Sequence, residues 1–301
     1  MITRLREGGI ARQILTLGVG TAIGQAVVLL ASPVWSRLYE PADFGRLGLV
    51  LSFLSAASVA VGLRYDLAIP LARDRNESIR LLLLCLLLAV PAAAIGGAVF
   101  AALCVTGALG FDAVPVWSAG IVAALLAVTA AFTALRFWHV RFSGFACISR
   151  SLIGQGIARA LTPILLAPLH LGWFGLVAGE AAGRLIGVRK LALPVLSAVV
   201  AAARTTTRAE LLESMRRFRQ YPRVFLPSSI LDALAAAIAL PVFVLLFGID
   251  VGGQFLLAQQ IVLVPAALLS ASLSDVYHVR FVESAKERPD HLPAIVARGA
   301  G

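Results

Sequence analysis

Apolar runs of about 20 residues, the length that crosses a hydrocarbon core, follow one another along most of this chain with short polar turns between them. None of the runs alternates apolar and polar positions, which excludes a transmembrane barrel and leaves helices. The pattern predicts about eight spans: Gln13–Trp35, Phe44–Leu63, Ile79–Leu109, Val116–Phe137, Leu152–Leu169, Trp173–Gly187, Val224–Phe247 and Val251–Asp275. The third run is long enough to need tilt or a break near Pro91. The turn Arg37-Leu-Tyr-Glu-Pro-Ala-Asp-Phe-Gly45 is the most structured of the polar stretches. Pro41 stops the first run, Asp43 is placed to cap the next helix, and Gly45 permits close approach of a neighbour. A similar turn returns as Leu246-Phe-Gly-Ile-Asp-Val-Gly252, with Asp250 lying 207 residues after Asp43. A hairpin used twice at this spacing is a mark of secondary transporters built from repeats.

The runs divide the chain into a basic head (1–12), a first six-helix half (13–191), a linker (192–223), the opening hairpin of a second half (224–275) and a charged tail (276–301). The linker is rich in arginine and reads as partly helical, lying on or near the headgroups. The head leads into a long apolar run with no cleavage site, so it does not read as a removable signal.

Composition agrees with the pattern. Of 301 residues, 59% are apolar and 14% charged, with a mean hydropathy of +0.90. Soluble domains carry roughly 25% charged residues. The turns after the first, third, fifth and seventh spans hold two of the 26 basic residues, Arg37 and Arg46. Almost all the others fall at the head, the opposite turns and the tail, so both termini are expected to be cytoplasmic. The net charge of +10 then faces anionic headgroups and calls for no nucleic acid.

Little in the chain suggests bond-breaking chemistry. Cys85 and Cys104 share one predicted helix, too far apart to pair, and the four histidines fall in loops without ligand spacing. No cofactor or metal motif is present, and no Walker loop for ATP. Asp66, Asp74 and Glu77 read as one solvated loop. Charged groups inside the spans carry more information, because each costs at least ~2.5 kcal/mol in lipid. They are Arg159, one helical turn after Gln155; Glu180 and Arg184, spaced to pair; and Asp232 in the seventh span. Arg159 and Asp232 are expected to face a hydrated path. Gln25, Gln259 and Gln260 read as interhelical glue. Gly175, Gly179, Gly183 and Gly187 form a bare stripe on the sixth span for another helix to approach.

In order along the chain, Arg37-Leu-Tyr-x-Pro-x-Asp-Phe-Gly45, Leu63-Arg-Tyr-Asp-Leu-Ala-Ile-Pro70, Ser149-Arg150 with Gln155, and Arg216-Arg-Phe through Tyr221-Pro222 precede Leu246-Phe-Gly, Gly252 and Ala258-Gln259. This ordered set resembles the polysaccharide flippases, or O-antigen transporters, of the multidrug/oligosaccharidyl-lipid/polysaccharide exporter superfamily. The resemblance implies a bacterial inner-membrane transporter, not an enzyme. Its substrate would be an oligosaccharide on a polyprenyl diphosphate, flipped for surface polysaccharide synthesis alongside other polysaccharide-assembly proteins. It implies substrate binding by Arg159, with Arg37 and Arg64 at the two mouths, and ion coupling by Glu180 or Asp232. Members have twelve or more spans in two halves, so these eight are expected to represent the first half and one hairpin, unable alone to replace a full-length flippase. The alternatives are a membrane-embedded enzyme of envelope polysaccharide synthesis and a drug/cation antiporter of the same superfamily.

Overall fold

The computed structural model describes the backbone of residues 2–262 and the side chains of residues 16–262. Among the described residues the chain is helical and contains no strand. Helix α1 (Ile2–Leu38) turns into α2 (Pro41–Val61), and a 3-10 segment (Tyr65–Leu71) leads to α3 (Arg75–Thr106). Then come α4 (Ala119–Arg141), α5 (Phe145–Leu166) and α6 (Trp173–Ala192). Two short helices, α7 (Leu196–Thr205) and α8 (Arg208–Arg217), precede a π-helical turn (Tyr221–Phe225), α9 (Leu226–Ala237) and α10 (Ala239–Phe247). A last helix, α11, occupies 249–262. Among the described residues, six helical segments are long and apolar enough to cross a membrane: Thr16–Leu38, Pro41–Val61, Arg75–Thr106, Val116–Arg141, Phe145–Leu169 and Tyr221–Phe247. The protein is therefore a multi-pass α-helical membrane protein.

A seventh crossing requires α6 and α7 together, and they meet at a bend of 74°. The cause is compositional. Glu180, Arg184, Arg189 and Lys190 lower the apolarity of α6 below what a free-standing span needs. The eighth predicted span is described only as far as residue 262, and its remainder lies outside the described residues, as does the tail.

α3 runs unbroken through Pro91, which a helix packed among neighbours tolerates, so of the two expected alternatives, tilt or a break, the break is absent. Other expectations are corrected by the structure. α2 begins at Pro41 and not after Asp43. Proline suits the first helical position because its missing N–H is unpaired there anyway. Asp43 sits one turn in, buried, and pairs with Arg46 at 3.4 Å. His139 is buried in the last turn of α4 and shares a hydrogen bond of 2.9 Å with the Leu191 carbonyl, so it is no loop residue. The head continues helically into α1 from Ile2.

Asp66, Asp74 and Glu77 do not form a solvated loop either. Asp66 and Glu77 are buried, and Asp74 caps α3 by accepting a 2.7 Å hydrogen bond from the Glu77 amide. Sequence composition suggested solvent because the linker that covers them lies about 140 residues away. α8 brings Arg217 onto Glu77 and Glu210 to 3.3 Å from Arg80, while the Tyr65 hydroxyl donates to the Met215 carbonyl at 3.4 Å. Burial pushes the Asp66 carboxyl above the usual carboxylate range, against an opposing pull from Arg64 and its local amides.

Among the described residues, the buried apolar side chains gather in two clusters. One lies among α1, α2, α3, α4 and α6 and includes Phe44, Leu49, Phe100 and Leu126. The other is built on the first half of α3, where Leu81, Leu82 and Leu84 meet Ile69, Trp138, Leu191, Phe218 and Tyr221. The apolar run of α3 thus serves two purposes, which explains its length. The repeated turns meet each other. Gly45 lies against the backbone and side chain of Ile249, and Gly253 lies against the Pro41 carbonyl and within 2.9 Å of the Gly45 amide for any added Cβ. Glycine is required at this crossing because backbone meets backbone.

Candidate functional site

The charged residues of α5 and α6 come together. α5 is wedged between α1 and α6 by small residues on both sides. An added Cβ at Gly24 would stand 2.8 Å from the Leu152 carbonyl, and one at Gly156 would stand 2.7 Å from the Gly24 Cα. On the other side lies the stripe of α6. A Cβ added at Gly179 would stand 2.7 Å from the Pro163 ring and 3.0 Å from the Arg159 carbonyl, and one at Gly183 3.2 Å from Arg159 Cβ. One added at Gly187 would stand 3.1 Å from the Gln155 amide and 3.2 Å from Phe132. Two hydrogen bonds, one from α1 and one from the residue that follows it, fix the depth of α5: Trp35 Nε1 donates to the Ala160 carbonyl at 3.1 Å, and the Tyr39 hydroxyl to that of Pro163 at 2.7 Å.

This packing leaves Arg159 and Glu180 facing each other across the seam. Arg159 Nε lies against Glu180 Oε1, and Arg184 Nη2 is 3.6 Å from Glu180 Oε2. Arg184 also donates from Nη1 to the Thr129 hydroxyl on α4 at 2.6 Å, while its Nε is buried without a partner. Glu180 is the most deeply buried of the three, with 6% of its side chain exposed against 27% for Arg159 and 21% for Arg184. Two guanidinium groups therefore share one carboxylate, and the cluster carries a net charge of +1.

The cluster borders a cavity of about 190 Å³, lined also by Thr21, Gly24 and Gln25 of α1 and by Gln155. It is smaller than the roughly 300–1,000 Å³ of sites that enclose a small organic molecule. It suits one anionic group with its water. Both carboxylate oxygens of Glu180 already face a guanidinium, so a cation finds no free acid here. Among the described residues no cluster of three or more His, Cys, Asp or Glu could hold a metal.

The remaining sequence-designated residues stand apart from this cavity. Arg37 is exposed in the last turn of α1. Arg64 follows α2, its backbone left-handed at φ 61° and its Nε buried without a partner. Asp232 is exposed on α9, and no polar partner reaches it among the described residues. Sequence reasoning missed Thr129, whose hydroxyl orients Arg184; nothing about a threonine in an apolar run signals that role. Comparison with known protein families, with characterised proteins and with solved structures finds no match for this chain.

Proposed function

We propose that the protein is a flippase of the polysaccharide-export type, carrying a lipid-linked oligosaccharide across a bacterial inner membrane. Its eight spans would leave both termini in the cytoplasm, as the charge asymmetry of the turns demands. The single observation that carries the reading is the buried Arg159–Glu180–Arg184 cluster, with its excess positive charge, inside an apolar helix bundle. Intramembrane charges of this kind are expensive and mark ion or substrate pathways. A diphosphate is the anion best matched to guanidinium groups, which bind its oxygens in pairs. The small cavity receives the phosphate end alone, and the sugar passes outside it. Arg37 and Arg64 stand at the two membrane faces, where the headgroup enters and leaves. Glu180 acts as the internal counter-ion that the incoming phosphate displaces from Arg159, and this exchange links substrate to the coupling ion. Asp232, exposed on α9, is the second coupling candidate.

The test is surface polysaccharide, at equal protein level, in cells that depend on a full-length version of this transporter, since the eight spans alone are not expected to replace one. Arg159→Ala is expected to abolish it, and Arg159→Lys to restore it in part, because lysine keeps the charge without the two-pronged geometry. Normal polysaccharide in the alanine variant would remove Arg159 from the pathway.

A further inference from the structure

The strap that joins α6 to α9, residues 193–225, is fastened to the bundle chiefly by charge. Ser214 is the one buried residue of α8, and Leu211 and Met215 on the same helix are only partly covered. Apolar burial therefore holds α8 weakly. The fastening is Arg217 on Glu77, Arg80 at 3.3 Å from Glu210, and the Tyr65 hydroxyl at 3.4 Å from the Met215 carbonyl. Glu77 is buried, whereas Arg217, Arg80 and Glu210 remain partly open to water. Ion pairs of this exposure are weak and are screened by salt.

The strap has a natural hinge at each end. α6 meets α7 at a bend of 74°, and the π-helical turn Tyr221–Phe225, which contains Pro222, leads into α9. π-helical turns and prolines are where helices bend, and π turns are frequent at functional places. Beyond this turn the segment Tyr221–Phe247 is the least buried of the six candidate spans. A cavity of about 580 Å³ separates α9 from α2 and α3, with Ile230 and Leu234 on its α9 side. α9 therefore leans on the bundle without filling the contact. Its approach is held by the strap, whose Phe218 lies buried with Tyr221 among Tyr65 and Leu81. α8 is built to stay helical when it comes away. Its capping box closes within the helix: the Glu210 carboxylate accepts from the Thr207 amide at 2.8 Å, and the Glu210 amide donates to the Thr207 hydroxyl at 3.4 Å.

We propose that α8 is a releasable latch: the Arg217–Glu77 and Arg80–Glu210 pairs hold the strap on α3, and parting them frees the α9 segment to swing away from α2. None of these four residues lines the Arg159 cavity, so the latch acts on the position of helices and works the same way whatever the protein carries. Charge suits the task. Partly exposed pairs exchange their partner for water at little net cost, so such a contact opens and closes where a buried apolar seam would stay shut. Local openings of this kind come from regions with few buried apolar contacts, and α8 is one.

The test uses the purified full chain in phosphatidylcholine nanodiscs, with Cys85→Ala, Cys104→Ala and Cys147→Ser removing its own thiols. Ser214→Cys reports the latch, because the side chain is buried against the bundle while α8 is docked. Glu213→Cys, exposed on the same helix, reports the helix itself. Arg80→Gln with Arg217→Gln should raise the rate of maleimide addition at Ser214→Cys about tenfold, which corresponds to about 1.4 kcal/mol. Glu213→Cys should react as before, and the protein should still elute as a single species. Arg216→Gln with Arg219→Gln removes the same charge from exposed arginines that have no acidic partner among the described residues, and should change neither rate. Raising salt from about 0.1 to about 1 M should speed the reaction at Ser214→Cys in the parent and not in the Arg80→Gln, Arg217→Gln variant. Nitroxides on Ser228→Cys of α9 and Ala146→Cys of α5, both exposed, should move apart in that variant. Continued protection of Ser214→Cys there would overturn the latch, and so would equal exposure in the Arg216→Gln, Arg219→Gln control. Exposure with an unchanged nitroxide distance would leave α9 fixed and overturn the swing. None of these readouts needs a substrate, so their failure sinks the latch and leaves the flippase reading to its own test.

Discussion

Replacing Glu180 with Gln keeps the shape of the side chain and removes its charge. The cluster then holds two guanidinium groups with no acid, and its net charge rises from +1 to +2. Breaking a buried ion pair by removing one partner costs about 3–5 kcal/mol, because the remaining charge is left uncompensated. Glu180 is 6% exposed, but its two arginines retain 27% and 21% exposure, so some of their charge is screened. We therefore expect about 3 kcal/mol. Arg184→Met acts in the opposite sense. It leaves Arg159 paired with Glu180 and brings the cluster to neutrality, at the loss of one hydrogen bond to Thr129, so about 1 kcal/mol is expected. Combining the two changes leaves Arg159 alone and removes the repulsion, so the double variant should be more stable than the sum of the single effects predicts. The assay is the thermal midpoint of the detergent-solubilised protein, followed as the monodisperse fraction after heating. An Arg184→Met variant as unstable as Glu180→Gln would refute the charge accounting and show that Arg184 is held for packing.

The same physics sets the remaining expectations. Cysteines placed at Asp112 and Asp250 should react with an impermeant thiol reagent from outside intact cells, and one at Arg208 should not; labelling at Arg208 would invert the topology. Gly156→Ala directs a methyl at the Gly24 backbone, which cannot yield, so it should destabilise by about 1–3 kcal/mol in the same heating assay, whereas Gly120→Ala, which meets open space, should be neutral. The Asp66 carboxyl binds its proton more tightly folded than unfolded, so its burial becomes costly as pH rises above the ordinary value of 3.8. Asp66→Asn should therefore raise the thermal midpoint more at pH 8 than at pH 4, and an equal effect at both would show that the carboxyl stays solvated.

Much of this architecture was legible in the order of apolar and polar residues, because lipid forces helices and the run lengths follow from its thickness. The four-residue spacing of Gly175, Gly179, Gly183 and Gly187 announced a close helix contact, which α5 makes at Gly179 and Gly183 and shares with Phe132 at Gly187, while Tyr39 covers Gly175. The pairing of Glu180 with Arg184 followed from their separation along one helix, whereas the stronger contact to Arg159 depends on how α5 and α6 rotate against each other. Asp66 and Glu77 looked solvated for a related reason. Composition near a residue says nothing of a linker helix that returns from far along the chain to cover it. The bend after α6 was equally hidden, since helix α6 fails as a lone span only when its four charges are weighed together with its glycines.

The most direct test of the account is the leaflet in which lipid-linked oligosaccharide collects when cells are depleted of the protein. Spheroplasts would be treated with an impermeant glycosidase and the surviving lipid-linked sugar measured. The flippase reading predicts accumulation in the cytoplasmic leaflet, protected from the enzyme, with restoration by the wild-type gene and not by Arg159→Ala. Accumulation in the outer leaflet, open to digestion, would show that the sugar crosses without this protein. The chain would then belong to a later step, such as polymerisation, and the transport reading would be wrong.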